Sequence, residues 1–214
     1  MLTIWGRTTS LNVQKVMWTV GELSLPHQRI DAGGRFGGLA STEFRALNPN
    51  GLIPVLKDED LVLWESHAIV RYLCARYGNG SLWTEDARIR AESDKWMEWT
   101  STTLQPTFTG GVFWGFYRTP PAQRNWNAIH AALNRCVELF GILDRVLSDR
   151  SFLAGDQLSM ADIVAGAQLY RYFTLDIERP RLPHVEAWYQ RLSQRPAYAT
   201  HVMVPYDELR GRDT

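Results

Sequence analysis

Asn48–Ile69, NPNGLIPVLKDEDLVLWESHAI, contains two short apolar runs, a polar joint and the opening of an amphipathic helix. Ile53-Pro54-Val55-Leu56 and Leu61-Val62-Leu63-Trp64 have the length and composition of strands. The four polar residues Lys57–Asp60 between them predict a hairpin. Pro54 is tolerated at the start of a strand, where its missing N–H can face an edge. Beyond Ser66, the residues Ala68, Ile69, Tyr72 and Leu73 recur at helical spacing, and Gly78-Asn79-Gly80 ends the helix. The stretch and its continuation therefore predict a ββα unit.

Upstream, Leu2–Trp5 (LTIW) reads as a strand, and Val13, Val16, Met17, Val20 and Leu23 follow as the apolar stripe of a helix. Pro26 introduces His27–Ala32 as a second strand. Glycines 33, 34, 37 and 38 around Arg35 and Phe36 make a loop that lacks the spacing of a phosphate-binding motif. Counting one further helix before Asn48, the order is βαβ, α, ββα. Beyond Gly80 no strand pattern appears. Helical faces are marked by Ile89, Trp96 and Trp99; by Trp126 through Leu147; by Ile163 through Phe173; and by Val185 through Leu192. Leu158-Ser159-Met160-Ala161-Asp162-Ile163 combines a serine cap, an acid three residues later and a flanking apolar pair. Two domains are predicted: an α/β domain over residues 1–79 and an all-α domain over 87–214.

The chain has 214 residues with 23 basic and 23 acidic side chains, so its charge favours neither nucleic acid nor a membrane surface. No membrane-length apolar run or leader is visible, which predicts a soluble, unprocessed cytoplasmic protein. Cys74 and Cys136 lie far apart inside helical patterns and read as small buried residues in a reducing compartment. With no second histidine placed to pair with His67, no metal site is expected. Nine tryptophans supply core filler and candidate walls for an apolar ligand.

Three segments carry the chemistry. In Gly6–Val16, GRTTSLNVQKV, hydroxyls and an amide stand at a strand-to-helix turn. Capping explains them, and so does a reactive atom held beside unpaired helix amides. Around Ile53-Pro54, the residues read as a plain edge-strand turn or, if the bond is cis, as a backbone edge turned outward to an extended ligand. In Trp64–Ile69, Glu65 and Ser66 stand where a strand gives way to a helix. There an acid can take an ammonium group while a hydroxyl and helix amides take a carboxylate. A hydroxyl, a backbone edge and an amino-acid clamp at one end of a small sheet suit a thiol tripeptide with a γ-glutamyl head group.

With these motifs in this order and spacing, the chain resembles the bacterial cytosolic glutathione transferases over essentially its full length. The resemblance rests on GRTTSLNVQKV, FRALNPNGLIPVL, LVLWESHAIVRYL and the SMADI cap. It implies a thioredoxin-like N-terminal domain, an all-helical C-terminal domain and a homodimer. It further implies a cis Pro54, an Ile53 backbone paired with the cysteinyl part of glutathione, and Glu65 with Ser66 on its γ-glutamyl group. Asn50 and Arg35 are further candidates for glutathione contact, Arg35 towards the glycyl carboxylate. Gly51 stands where some Ser-type relatives carry a histidine, so the glycyl end is expected to be held differently.

Aligning the turn on Gln14-Lys15-Val16 puts Ser10 at the place of a Ser-type hydroxyl and Asn12 near the amide of a Thr/Asn type. Both readings remain open; Thr8 and Thr9 are assigned to turn chemistry. With no tyrosine or cysteine in residues 6–16, the Tyr-type and Cys-type sites are disfavoured. The aromatic, Gly-punctuated run FTGGVFWGFY (Phe108–Tyr117) does not fit one clean helical period, and Phe113, Trp114 and Tyr117 are expected to wall an apolar electrophile pocket. The implied activity is conjugation of glutathione to small apolar electrophiles. The alternatives are a glutathione-dependent peroxidase or disulfide reductase, and a non-catalytic glutathione-binding protein.

Overall fold

In the computed structural model, which describes residues 1–212, four strands form one sheet in the order β2-β1-β3-β4. They are β1 (Leu2–Trp5), β2 (His27–Ile30), β3 (Val55–Asp58) and β4 (Leu61–Trp64). β2 runs parallel to β1, whereas β3 is antiparallel to both β1 and β4. Period-2 alternation divides β1 between two cores. Leu2 and Ile4 pack with Val13, Val16, Met17 and Val20 of α1 (Leu11–Glu22) and with Ile69 and Leu73 of α3 (Ser66–Tyr77). Trp5 packs on the opposite side with Ala32, Val55 and Phe44, the last from α2 (Thr42–Leu47).

The hairpin is tighter than the sequence predicts. Its ladder takes in Lys57 and Asp58, and only Glu59 and Asp60 turn, with Glu59 at φ 54°. Asp58 explains the extension: its carboxylate accepts hydrogen bonds from Tyr72 at 2.8 Å and Tyr77 at 2.5 Å, both on α3.

The chain forms two compact units. One comprises Met1–Thr84 together with Arg195–Val204; the other comprises Glu85–Gln194 and the segment from Pro205 onward. The sequence reading assigned everything after residue 87 to the helical domain, whereas α9 (Pro196–His201) returns to the sheet-containing unit. Its Tyr198 ring meets Trp18 of α1 edge-on at 4.7 Å. Arg195 donates to both carboxylate oxygens of Glu22, at 2.8 and 2.6 Å, and the Trp18 indole donates to the same carboxylate at 2.8 Å.

The helical unit holds α4 (Ala87–Trp99), α5 (Trp126–Val146), α6 (Met160–Gly166), α7 (Leu169–Thr174) and α8 (Pro183–Ser193). α4 continues through Thr100–Leu104 and Pro106–Arg118 in wider, π-type turns, closing with Thr119 N–H on Trp114 C=O, five residues back. This winding explains why the aromatic run does not fit a 3.6-residue period. Gly111 and Gly115 face Ala132 and Ile129 of α5 so closely that an added methyl would lie 2.7 and 3.1 Å from them. The serine cap is built as expected: Asp162, fully buried at the start of α6, accepts from Ser159 N–H and Oγ, Leu153 N–H and the Trp188 indole. Burial nevertheless pushes its carboxyl up to about 6, against the pull of those donors. Among the described residues no helix is long and apolar enough to cross a membrane.

Candidate active site

Strand register brings the three chemical segments to one end of the sheet. Trp5 lies opposite Val55, and Val55 opposite Trp64, so the carboxyl ends of β1 and β4 flank the amino end of β3. Strands are spaced about 4.8 Å apart, which puts the β1 and β4 exits roughly 10 Å from each other. Ser10 follows the first exit, Ile53-Pro54 precedes β3, and Glu65-Ser66 follows the second. Arg35 leaves the same end, since Ile30 of parallel β2 is level with Trp5.

At the first exit, Arg7 N–H donates to Ala32 C=O at 3.1 Å and the Arg7 guanidinium reaches Thr9 Oγ1 at 2.5 Å. Gln14 Nε2 holds Thr8 C=O at 3.0 Å. Thr8 and Thr9 thus shape the turn. Ser10 is the N-cap residue of α1 and is partly exposed, and its hydroxyl makes no capping hydrogen bond. A helix start with an uncommitted hydroxyl beside it can stabilise an anion.

Ile53-Pro54 is the cis peptide bond of the chain's described residues. The turn before it is organised by Asn48, which is buried: its Nδ2 donates to Leu52 C=O at 2.8 Å, and its Oδ1 accepts from both the backbone and the side chain of Asn50. The Asn50 side chain is thereby committed to the turn. Gly51 has φ +63°, and a Cβ there would sit 3.0 Å from Leu39 C=O. A side chain at this position would therefore meet both a left-handed backbone and that carbonyl.

At the second exit the cap is Glu65, at φ 70° and ψ 112°, and Ser66 is the first residue of α3 and is buried. A non-glycine residue at positive φ costs about 1–3 kcal/mol and gathers at functional sites. Here it leaves an exposed carboxylate beside the amino end of a helix.

Sequence reasoning passed over Lys15. Its side chain is fully buried, with Nζ donating to Asn12 Oδ1 at 3.1 Å and lying 3.0 Å from His67 Nε2 on α3. Burial, with the charges of Lys15 and Arg71, drives the His67 imidazole down to about 2. Lys15 stands within GRTTSLNVQKV, but nothing in its spacing marks a buried cation. Burial also pushes the Cys74 and Cys136 thiols up to about 12, away from the nucleophilic range.

In the helical unit, Phe113 corrects the sequence reading. Its ring is fully buried, stacked on Tyr117 at 5.2 Å and lying under the Arg171 guanidinium. Trp114 is 52% exposed with the Arg118 guanidinium over its ring. Tyr117 borders a cavity of about 490 Å³ with Tyr170, Tyr206, Arg124 and Arg210.

A model of the glutathione S-transferase N-terminal domain matches residues 9–76, and a model of its C-terminal domain matches residues 97–196. Glutathione S-transferase GstB of Escherichia coli (strain K12) is 43% identical over 207 residues, spanning 96% of this chain and 99% of its own. The chain belongs to the glutathione S-transferase family. Glutathione S-transferase 1 of Manduca sexta is 29% identical, with 92% of this transferase and 90% of that one covered. Among solved structures, the theta class glutathione S-transferase of the citrus canker pathogen Xanthomonas axonopodis pv. citri, with glutathione bound, matches at a TM-score of 0.91 and 46% identity. That match covers 95% of this transferase and 98% of the other chain.

Proposed function

We propose that this transferase holds glutathione as a thiolate at the carboxyl end of β1 and adds it to small apolar electrophiles. The observation that supports this most is the alignment of Trp5, Val55 and Trp64, which puts a hydroxyl at a helix start, a backbone edge and an acid-serine pair within one tripeptide's reach. In this reading Glu65 takes the γ-glutamyl ammonium, while Ser66 and the α3 amides take its carboxylate. Ile53 pairs its backbone with the cysteinyl part. Asn50 acts by shaping the turn, and Arg35 on its exposed loop is the candidate for the glycyl carboxylate. Ser10 donates to the sulfur, with Asn12 as second donor.

A free thiol has a pKa near 8.5, and each unit of depression needs about 1.4 kcal/mol of preferential anion stabilisation. A hydrogen bond to a charged acceptor is worth about 1.5–3 kcal/mol, so one hydroxyl and one helix start can supply one to two units. Ser10 need only donate. Trp114 and Tyr117 are proposed to offer aromatic surface to the electrophile. The exposed Leu61 and Trp64 of edge strand β4, with exposed Tyr77, support a homodimer, and the two buried unpaired thiols suit a cytoplasmic setting.

A second reading, glutathione-dependent reduction of peroxides or disulfides, is favoured by the anchored Asn12 amide. Ultraviolet thiolate titration tests the leading one: Ser10→Ala is expected to raise the midpoint of bound glutathione by about one unit with affinity retained. An unchanged midpoint refutes the Ser10 role. Turnover with an aryl halide, an organic hydroperoxide and a mixed disulfide separates the two enzymatic readings. Tight binding with no turnover on any of them leaves a binding protein.

A further inference from the structure

Lys15 is a buried cation with no part in the scheme above. Its neighbours Val16 and Met17 show what the inner face of α1 otherwise holds. Burying an ammonium group costs several kcal/mol before its partners repay it, and an apolar residue of similar length would carry no such cost. The partners are therefore informative. An ammonium only donates, so the His67 Nε2 that faces it at 3.0 Å accepts, and that ring carries its proton on Nδ1. Burial of this ring, and then the charges of Lys15 and Arg71, disfavour its protonation, so the acceptor persists across the working pH range. The second partner is Asn12 Oδ1. A donor-only group on the amide oxygen fixes which way the amide faces: the oxygen turns inward to Lys15 and the NH₂ turns away from it, in the turn that starts beside Ser10.

We propose that Lys15 is a positioning residue for the glutathione thiolate: it pins the Asn12 amide oxygen, so that the Asn12 N–H is presented to the sulfur. Through His67 the same ammonium ties the start of α1 to the residue next to Ser66, holding the sulfur end and the γ-glutamyl end of the site in fixed relation. Lys15 does not touch the sulfur. The inference rests on the thiolate reading of the proposed function.

The test uses the full chain, with glutathione as the probe. Circular dichroism establishes folding, calorimetry gives glutathione affinity, and ultraviolet titration gives the thiolate midpoint. Lys15→Met removes the donor; Lys15→Gln keeps a donor without the charge. Asn12→Ala and Lys15→Met are each expected to raise the midpoint by about one unit, a tenfold loss of thiolate well below it, with kcat falling and KM for glutathione held. The double variant is expected to shift no further than either single one, and Lys15→Gln to recover most of the shift. A folded Lys15→Met with the wild-type midpoint overturns the proposal, and so does an additive double variant. A wild-type midpoint in Asn12→Ala overturns it even if neither lysine variant folds. Failure of the thiolate reading itself looks different: wild type would then leave the thiol at its free value.

Discussion

Replacing His67 with glutamine tests the buried pair behind the site through stability instead of turnover. His67 is held near 2 in the folded chain, by burial first and then by the positive charges of Lys15 and Arg71, against 6.5 when unfolded. A depressed pKa means that the unfolded chain takes up a proton the folded chain refuses. Stability is therefore complete above about pH 6.5 and is lost as pH falls towards 2, by about 1.4 kcal/mol per unit. Between pH 8 and pH 5 the loss from this one ring is ~2 kcal/mol. Glutamine keeps an acceptor opposite Lys15 Nζ but takes up no proton. Denaturant unfolding at both pH values is expected to show wild type losing ~2 kcal/mol more than His67→Gln over the interval. Other titrating groups act on both proteins and cancel in the difference. Parallel losses in the two proteins refute the claim that Lys15 faces a neutral imidazole.

Other outcomes follow from contacts described above. Glu22→Ala strips the buried Trp18 indole N–H of its acceptor and Arg195 of its carboxylate; a loss of ~3 kcal/mol is expected in thermal unfolding, and Glu22→Gln, which keeps one acceptor, is expected to lose about a third of that. Gly111→Ala puts a methyl 2.7 Å from Ala132 Cβ, so despite alanine's better helix propensity it is expected to cost ~1–3 kcal/mol by calorimetry. Gly51→His, which restores the side chain some relatives carry, meets φ +63° and the Leu39 carbonyl; it is expected to lower stability by ~1–2 kcal/mol in urea without tightening glutathione binding.

The parts of the fold that were legible in the sequence are those written in short-range patterns. Leu2–Trp5 and Leu61–Trp64 have the observed bounds, because alternation and flanking turn residues act locally. The extent of β3 was not legible: Asp58 joins the ladder through tyrosines on a helix that follows β4. The Ile163–Phe173 stripe reads as one helix but forms two, α6 and α7, around the buried Gln168, whose Oε1 accepts from Thr109 at 3.1 Å. The aromatic run signalled its π-type turns only as an absence of period. Ser10, Ile53-Pro54 and Glu65-Ser66 stand at strand ends and helix starts, which leave signatures in sequence, and strand register brings those segments to one end of the sheet. Lys15 leaves no such signature, since a lysine among apolar neighbours reads as a solvated side chain until a partner fifty-odd residues away is placed against it. Phe113 and Tyr117 looked alike in sequence, and only packing separates the buried support from the ring that borders a cavity.

The return of α9 bears on how this chain is made. The unit that carries Ser10, Pro54 and Glu65 also needs Tyr198 against Trp18 and Arg195 on Glu22, and these residues emerge only after all of Glu85–Gln194 has been synthesised. At about 5–20 residues per second, the ribosome holds the first unit incomplete for several seconds, with the Trp18 surface unfinished. The order of synthesis and the order of completion are thus reversed: the first unit begun is closed by a segment made after the body of the second. Cutting the gene after residue 84 would deliver the sheet and the turns that carry Ser10, Pro54 and Glu65 with one flank of α1 bare. A nascent chain of this design completes its first unit only once α9 has emerged, whatever the speed of its sheet.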